Sequence, residues 1–112
     1  MRLVRTAQLF RALSDRTRLR IINLLTVREL TGTQLSDVLR APRARVARHL
    51  RYLHKCMLVS TRHDGNEAYY ALRGDTDPDM AALVHSVLRL IGRVEELSAD
   101  ARELNSMTKP RR

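Results

Sequence analysis

Apolar residues in the first half of the chain recur every three or four positions, the spacing that gathers them on one side of a helix. Leu3, Val4, Ala7, Phe10 and Leu13 predict a short amphipathic helix over residues 3–13, stopped by Ser14 and Asp15. Asp15 makes a good N-cap because its carboxylate can accept a backbone N–H of the following turn, and Leu19, Ile21, Ile22 and Leu25 predict a second helix that ends near Thr26. Thr31-Gly32-Thr33-Gln34 fits a capping box, in which the Thr31 hydroxyl accepts from the Gln34 N–H while the Gln34 side chain reaches back; Leu35, Val38 and Leu39 follow. A third helix is expected over about 32–39. After a break at Arg40-Ala41, Pro42 suits a first helical position, where a missing N–H leaves nothing unpaired, and a fourth helix is expected over about 42–55.

The pattern changes after Lys55. Leu58 to His63 and Glu67 to Leu72 have strand-like composition around Asp64-Gly65-Asn66, a hairpin turn signal, and Tyr69, Tyr70 and Leu72 are expected to pack or brace that hairpin. Asp75, Asp77, Pro78 and Asp79 mark a loop and a helix start, with acids where the helix dipole favours them. From Met80 onward, Leu83, Val84, Val87, Leu88, Ile91, Val94 and Leu97 form one apolar stripe. A single helix from 78 to about 104 would be ~40 Å long, more than so small a domain can cover, so part of the stripe calls for a second subunit. Residues 106–112, ending in Lys109, Pro110, Arg111 and Arg112, are expected to be a disordered basic tail. The fold class expected is mainly α with a small β-hairpin wing, in the order α-α-α-α-β-β-α, as one domain over residues 1–105.

Composition narrows the class. The single cysteine, Cys56, cannot staple its own chain, which excludes a disulfide framework and points to a reducing compartment; a buried inert thiol is expected there. No apolar run approaches the roughly eighteen residues of a membrane span, and Met1 to Phe10 has no signal-type core, so a cytoplasmic protein with no membrane partner is expected. The 21 Lys and Arg against 12 Asp and Glu leave +9 on 112 residues, which favours an anionic partner. The excess is uneven: residues 1–72 carry fourteen basic and five acidic residues, and residues 73–105 carry four and seven. Residues 40–55 hold Arg40, Arg43, Arg45, Arg48, Arg51 and Lys55 without one acid, whereas a merely solvated helix face mixes its signs.

That segment carries the functional argument. Val46, Leu50 and Leu53 at i, i+4 and i+7 fix the core-facing side of the fourth helix. At about 100° per residue, Ala44, Arg48, Arg51 and Lys55 then project from the other side, with Arg43 and Arg45 flanking the first turn. Two short helices joined by a tight turn, the second exposing arginines, make a helix-turn-helix with a recognition helix, and the planar fork of arginine suits guanine edges and phosphates alike. Arg43, Arg45 and Arg48 are the expected base readers. Arg51, Lys55, Arg62, Thr33 and Gln34 are expected to hold phosphates, and Arg62, His63 and Asn66 to offer the hairpin to a neighbouring phosphate or minor groove. His49, at the edge of the buried face, is expected to pack or cap.

With these elements in place, the chain resembles the ArsR/SmtB family of winged-helix repressors. Leu9 to Leu25 (LFRALSDRTRLRIINLL) is similar to that family's opening signature, Arg48 to Leu53 (RHLRYL) to its recognition helix, and Leu58 to Leu72 (LVSTRHDGNEAYYAL) to its wing. The resemblance covers about residues 7–97. It implies a sequence-specific, double-stranded DNA-binding repressor, a homodimer paired through the first and last helices over a near-palindromic operator. The dimer surface then draws on Val4 and Phe10 and on Leu83, Val84, Val87, Leu88, Ile91 and Val94.

The chain also departs from that family. Where metal-sensing members carry Cys-x-Cys after the Glu29-Leu30 equivalent, this chain has Thr31-Gly32-Thr33, and hydroxyls do not replace thiolates for soft metals. Asp79 is followed at the second position by Ala81 instead of His, and His85 is the sole histidine of that helix, so no metal and no cofactor are expected. Arg45 and Ala47 stand where the family commonly has Ser or Thr, which points to a different operator or to more phosphate contact. The residues identify no inducer. An alternative is a winged helix that binds protein, or nucleic acid without sequence choice; an enzyme has little support, because no nucleophile and base share a motif and no glycine-rich phosphate loop occurs.

Overall fold

In the computed structural model, which describes residues 2–73 and 78–107, the chain runs α1 (Leu3–Leu13), α2 (Arg16–Leu25), β1 (Leu30–Thr31), α3 (Gly32–Leu39), α4 (Arg43–Lys55), β2 (Val59–Asp64), β3 (Glu67–Leu72), α5 (Pro78–Ile91) and α6 (Glu95–Met107). The starts of the helices follow local chemistry. Asp15 accepts the Arg18 N–H at 3.0 Å and opens α2. The capping box at α3 is complete, with the Gln34 N–H donating to Thr31 Oγ1 at 3.1 Å and the Thr31 N–H to Gln34 Oε1 at 2.9 Å. Pro42 stands just outside α4 as its N-cap.

The ends of α3 and α4 share one device. Arg40 (φ 54°) and Met57 (φ 63°) take the left-handed conformation that turns the chain out of a helix. At α4 the Met57 N–H donates to His54 O and the Leu58 N–H to Leu53 O, both at 3.0 Å, which satisfies two carbonyls the helix leaves open. Leu53 and Leu58 are both buried beneath this turn.

Leu9, Ile21, Ile22, Leu24, Leu30, Leu35, Val46, Leu53, Val59 and Leu104 are the most fully buried side chains and draw α1, α2, α3, α4, the sheet and α6 into one core. On α1 the core-facing residues are Leu9, Ala12 and Leu13, whereas Leu3, Val4 and Phe10 of the expected stripe are 83%, 70% and 50% exposed.

The sheet has the order β1-β3-β2, antiparallel throughout, with Arg62 opposite Tyr69 and Tyr69 opposite Thr31. β1 lies outside the expected element order; two residues are too few to show a period. Gly65 opens the hairpin turn with φ 64°, as the tight turns that match the twist of a hairpin require.

The last helix differs from expectation. Instead of one rod over 78–104, α5 ends at Ile91 and α6 restarts at Glu95. Gly92 weakens the helix, and its backbone comes so close to the preceding turn that a Cβ there would stand 2.8 Å from Leu88 O. The Val94 N–H turns back to Ile91 O at 2.9 Å, Ser98 Oγ donates to Gly92 O at 3.0 Å, and Glu95 and Glu96 supply the negative charge that favours a new N-terminus. α6 folds back onto α2, where Arg20 holds Asp100 through two hydrogen bonds of 2.8 and 2.9 Å, with Asp100 buried. Consequently Val84, Leu88, Leu97 and Leu104 are covered by the chain's own residues, and the stripe does not run outward along one rod. Ser106 and Met107 belong to α6 and not to the expected tail; residues 108–112, like Asp75 and Asp77, lie outside the described residues.

Candidate nucleic-acid interface

Buried Val46, Leu50 and Leu53 pin one side of α4 to the core, while Arg43, Ala44, Arg45, Arg48, Arg51 and Lys55 lie exposed. The turn into α4 is fixed by the Ala41 N–H donating to Ser36 O and by Ser36 Oγ donating to Ala41 O. Arg43 does not extend freely from this turn. Its Nη1 donates to Thr33 Oγ1 at 2.6 Å, and its guanidinium lies over Gly32, where an added Cβ would meet Nη2 at 3.0 Å. Thr33 and Arg43 thus form one unit at the mouth of α3. The Gln34 carbonyl is engaged in the cap, with the side chain half-buried.

Between α4 and the hairpin runs an open groove lined from the helix by Ala47, Arg48, Leu50, Arg51, Tyr52, His54 and Lys55 and from the strands by Thr61, His63 and Tyr70. Its rim is cationic and, among the described residues, carries no carboxylate, while Leu50, Ala47 and the two tyrosines give it an apolar floor. Thr61, Tyr52 and Ala47 were not among the expected site residues. Period-two alternation is the signal that finds Thr61, since it shares its strand face with His63.

The same alternation parts Arg62 from His63. Arg62 lies on the other face of the hairpin, where its Nε donates to both Glu29 oxygens at 3.1 Å, its Nη2 donates to Glu29 Oε1 at 2.6 Å, and its guanidinium sits 4.5 Å from the centre of the Tyr69 ring. The hydrogen bond to Arg62 holds the Glu29 carboxyl below its ordinary range, and the Arg62 guanidinium is raised in turn. Asn66 is exposed at the tip of the turn.

His49 faces inward, its Nδ1 3.5 Å from Arg18 Nη1 and 3.9 Å from Asp15 Oδ2. Burial is the largest influence on it and pushes its pKa below 6.5; Asp15 pulls the other way, and Arg18, Arg48 and Arg45 add to the depression. For Asp15, burial raises the pKa, but the Arg18 N–H and the charges of His49 and Arg18 outweigh it and hold the carboxyl low. His49 thus lies against Arg18 and the Asp15 cap of α2, and it joins α4 to α2 instead of facing a ligand.

Among the residues expected at a subunit contact, Val4, Phe10 and Val94 are exposed, Leu83, Val87 and Ile91 are half-buried, and Val84 and Leu88 belong to the core. Cys56 is buried. Among the described residues no three of His, Cys, Asp and Glu converge as metal ligands, and no helix is long and apolar enough to cross a membrane.

Residues 15–61 match the family model described as bacterial regulatory protein, arsR family. The chain is 37% identical over 79 residues to a protein of Streptomyces lividans named a probable mercury resistance operon repressor, a match that covers 70% of this chain and 61% of that one. The chain therefore spans about three fifths of that relative's length. It is 36% identical over 72 residues to the uncharacterized HTH-type transcriptional regulator YceK of Bacillus subtilis, which covers 62% of this chain and 72% of the relative. Among solved structures it is similar to HlyU from Vibrio cholerae, with a TM-score of 0.70, 26% identity, and coverage of 78% of this chain and 91% of the other.

Proposed function

The chain belongs to the arsR family of bacterial regulatory proteins, and from that premise we propose that it is a cytoplasmic, homodimeric transcriptional repressor that binds a near-palindromic operator in double-stranded DNA. The observation that carries this reading is the acid-free cationic face of α4 beside a groove of the same sign. Arg45 and Arg48, exposed on the first two turns, are in the position from which a recognition helix reaches base edges. Arg43, drawn back to Thr33, suits a phosphate flanking the site, and Arg51, Lys55 and His63 suit the backbone strand that would follow the groove. Gln34, at the start of α3, and Asn66, exposed at the hairpin tip, suit further backbone contacts. The name of the Streptomyces relative supports repression as the direction of control.

Dimerisation is supported by apolar side chains left outside the core. Leu3, Val4 and Phe10 on α1 and Leu90 and Val94 around the end of α5 are exposed. Large apolar side chains left exposed on a small domain suit a subunit contact. One domain over residues 1–105 would then supply half of a symmetric reader.

Fluorescence anisotropy with the DNA upstream of its own coding sequence tests the proposal. Binding should exceed that to random duplex and fall steeply with salt as phosphate-bound counterions are released; equal binding to every duplex would leave a nonspecific module. Sedimentation at micromolar concentration should give the mass of two chains.

A further inference from the structure

The contact between Glu29 and Arg62 has no part in the reading above and stands apart from the α4 groove. Glu29 lies two residues before Thr31, and β1 lies beside β3, so the carboxylate reaches across Tyr69 to the arginine on β2. Both partners are open to solvent, at 53% for the Arg62 side chain and 35% for Glu29. The Nε and Nη2 edge of the guanidinium is taken by two oxygens in the forked geometry that arginine offers equally to carboxylate and phosphate. Tyr69 beneath supports the guanidinium whichever anion it holds.

We infer that Glu29 is an internal competitor for the wing arginine, its carboxylate standing where a DNA phosphate would bind and thereby setting the affinity of the protein for DNA. This rests on the DNA-binding reading above. While the pair is closed its charges cancel, and an approaching phosphate gains the arginine's charge only by displacing the carboxylate. The loop bearing Glu29 leads directly into the capping box of α3, so the exchange also ties the wing to the helix-turn-helix.

Glu29→Gln keeps the shape of the side chain and removes its charge. Anisotropy across a salt series on the upstream duplex should show Glu29→Gln binding about two- to fivefold tighter at low salt, the scale of an exposed ion pair. The slope of log K against log salt should steepen by about 0.9, one more phosphate neutralised. In an Arg62→Gln background the same change should do nothing. Weaker binding by Glu29→Gln would mean that the carboxylate presents Arg62 instead of competing for it, and an equal gain in both backgrounds would mean a diffuse charge effect; either overturns the inference. So does unchanged binding beside a wild type that binds. A wild type that binds no duplex at all overturns the DNA-binding reading and this inference with it.

Discussion

The Arg18 guanidinium stacks 4.4 Å from the centre of the Tyr52 ring, and from that position a single side chain of α2 serves three helices. Its Nε donates to Ala12 O at 2.7 Å and its Nη2 to Arg11 O at 3.2 Å, closing the C-terminus of α1, while Nη1 meets His49 on α4. Arg18→Ala should cost about 2–3 kcal/mol, the sum expected of part-buried charged hydrogen bonds and a cation over a ring. Arg18→Lys should recover little, because an ammonium lacks the planar fork that reaches both carbonyls while lying flat on Tyr52. Urea denaturation of the two variants measures both effects.

His49 gives stability a pH dependence whose sign follows from its surroundings. Its folded pKa lies below 6.5, so as the pH falls the unfolded chain takes up the proton first. The contribution of neutral His49 is therefore complete above about pH 6.5 and is lost as the pH falls from there toward the folded pKa. Thermal melts at pH 7.5 and 5.5 should show lower stability at the acid end, and His49→Gln should flatten that difference. Asp15, whose folded pKa is depressed, acts in a separate window: its contribution is present above about pH 4 and is lost below it.

Met57 occupies, at φ 63°, the position after a helix where glycine is usual. A side chain in that conformation costs about 1–2 kcal/mol, and with Met57 44% exposed it returns little by burial. Met57→Gly should raise stability by about 0.5–1 kcal/mol in denaturant melts, and it should leave DNA affinity unchanged because Met57 lies outside the α4 groove.

Arg48 and Lys55 lie in the same groove and should fail in different ways. Arg48→Ala should cost about 1–3 kcal/mol on the preferred duplex and much less on random DNA, whereas Lys55→Ala should weaken binding to all duplexes alike and reduce the salt slope by about one. Parallel titrations on the two DNAs separate these outcomes.

What could be read from the residues was local. The Asp15 cap, the Thr31 and Gln34 capping box and the core-facing Val46, Leu50 and Leu53 each depend on neighbours within one or two turns, and all stand where the periodicity places them. What escaped depends on partners far along the chain. β1 exists only because Leu30 and Thr31 meet Tyr70 and Tyr69, and Glu29 and Arg62 face each other across 33 positions. The fold-back of α6 is held by Arg20 and Asp100, 80 positions apart. The apolar period also ran unbroken through Gly92, so the stripe hid the close backbone approach that ends α5. The faces of Thr61 and Arg62 were within reach, since neighbours on a strand cannot share a face with one another.

The two-residue turn at Gly65-Asn66 constrains how the hairpin can change in length. Thr61 and His63 face α4 and Arg62 faces Glu29 only because the strands are counted from that turn. Inserting one residue before it would exchange the two faces, sending the arginine toward the recognition helix and His63 toward Glu29, whereas inserting a pair on each strand would lengthen the wing and leave both sets where they are. Length variants that keep function should therefore step by two residues on each strand, a parity rule open to inspection in any collection of related chains.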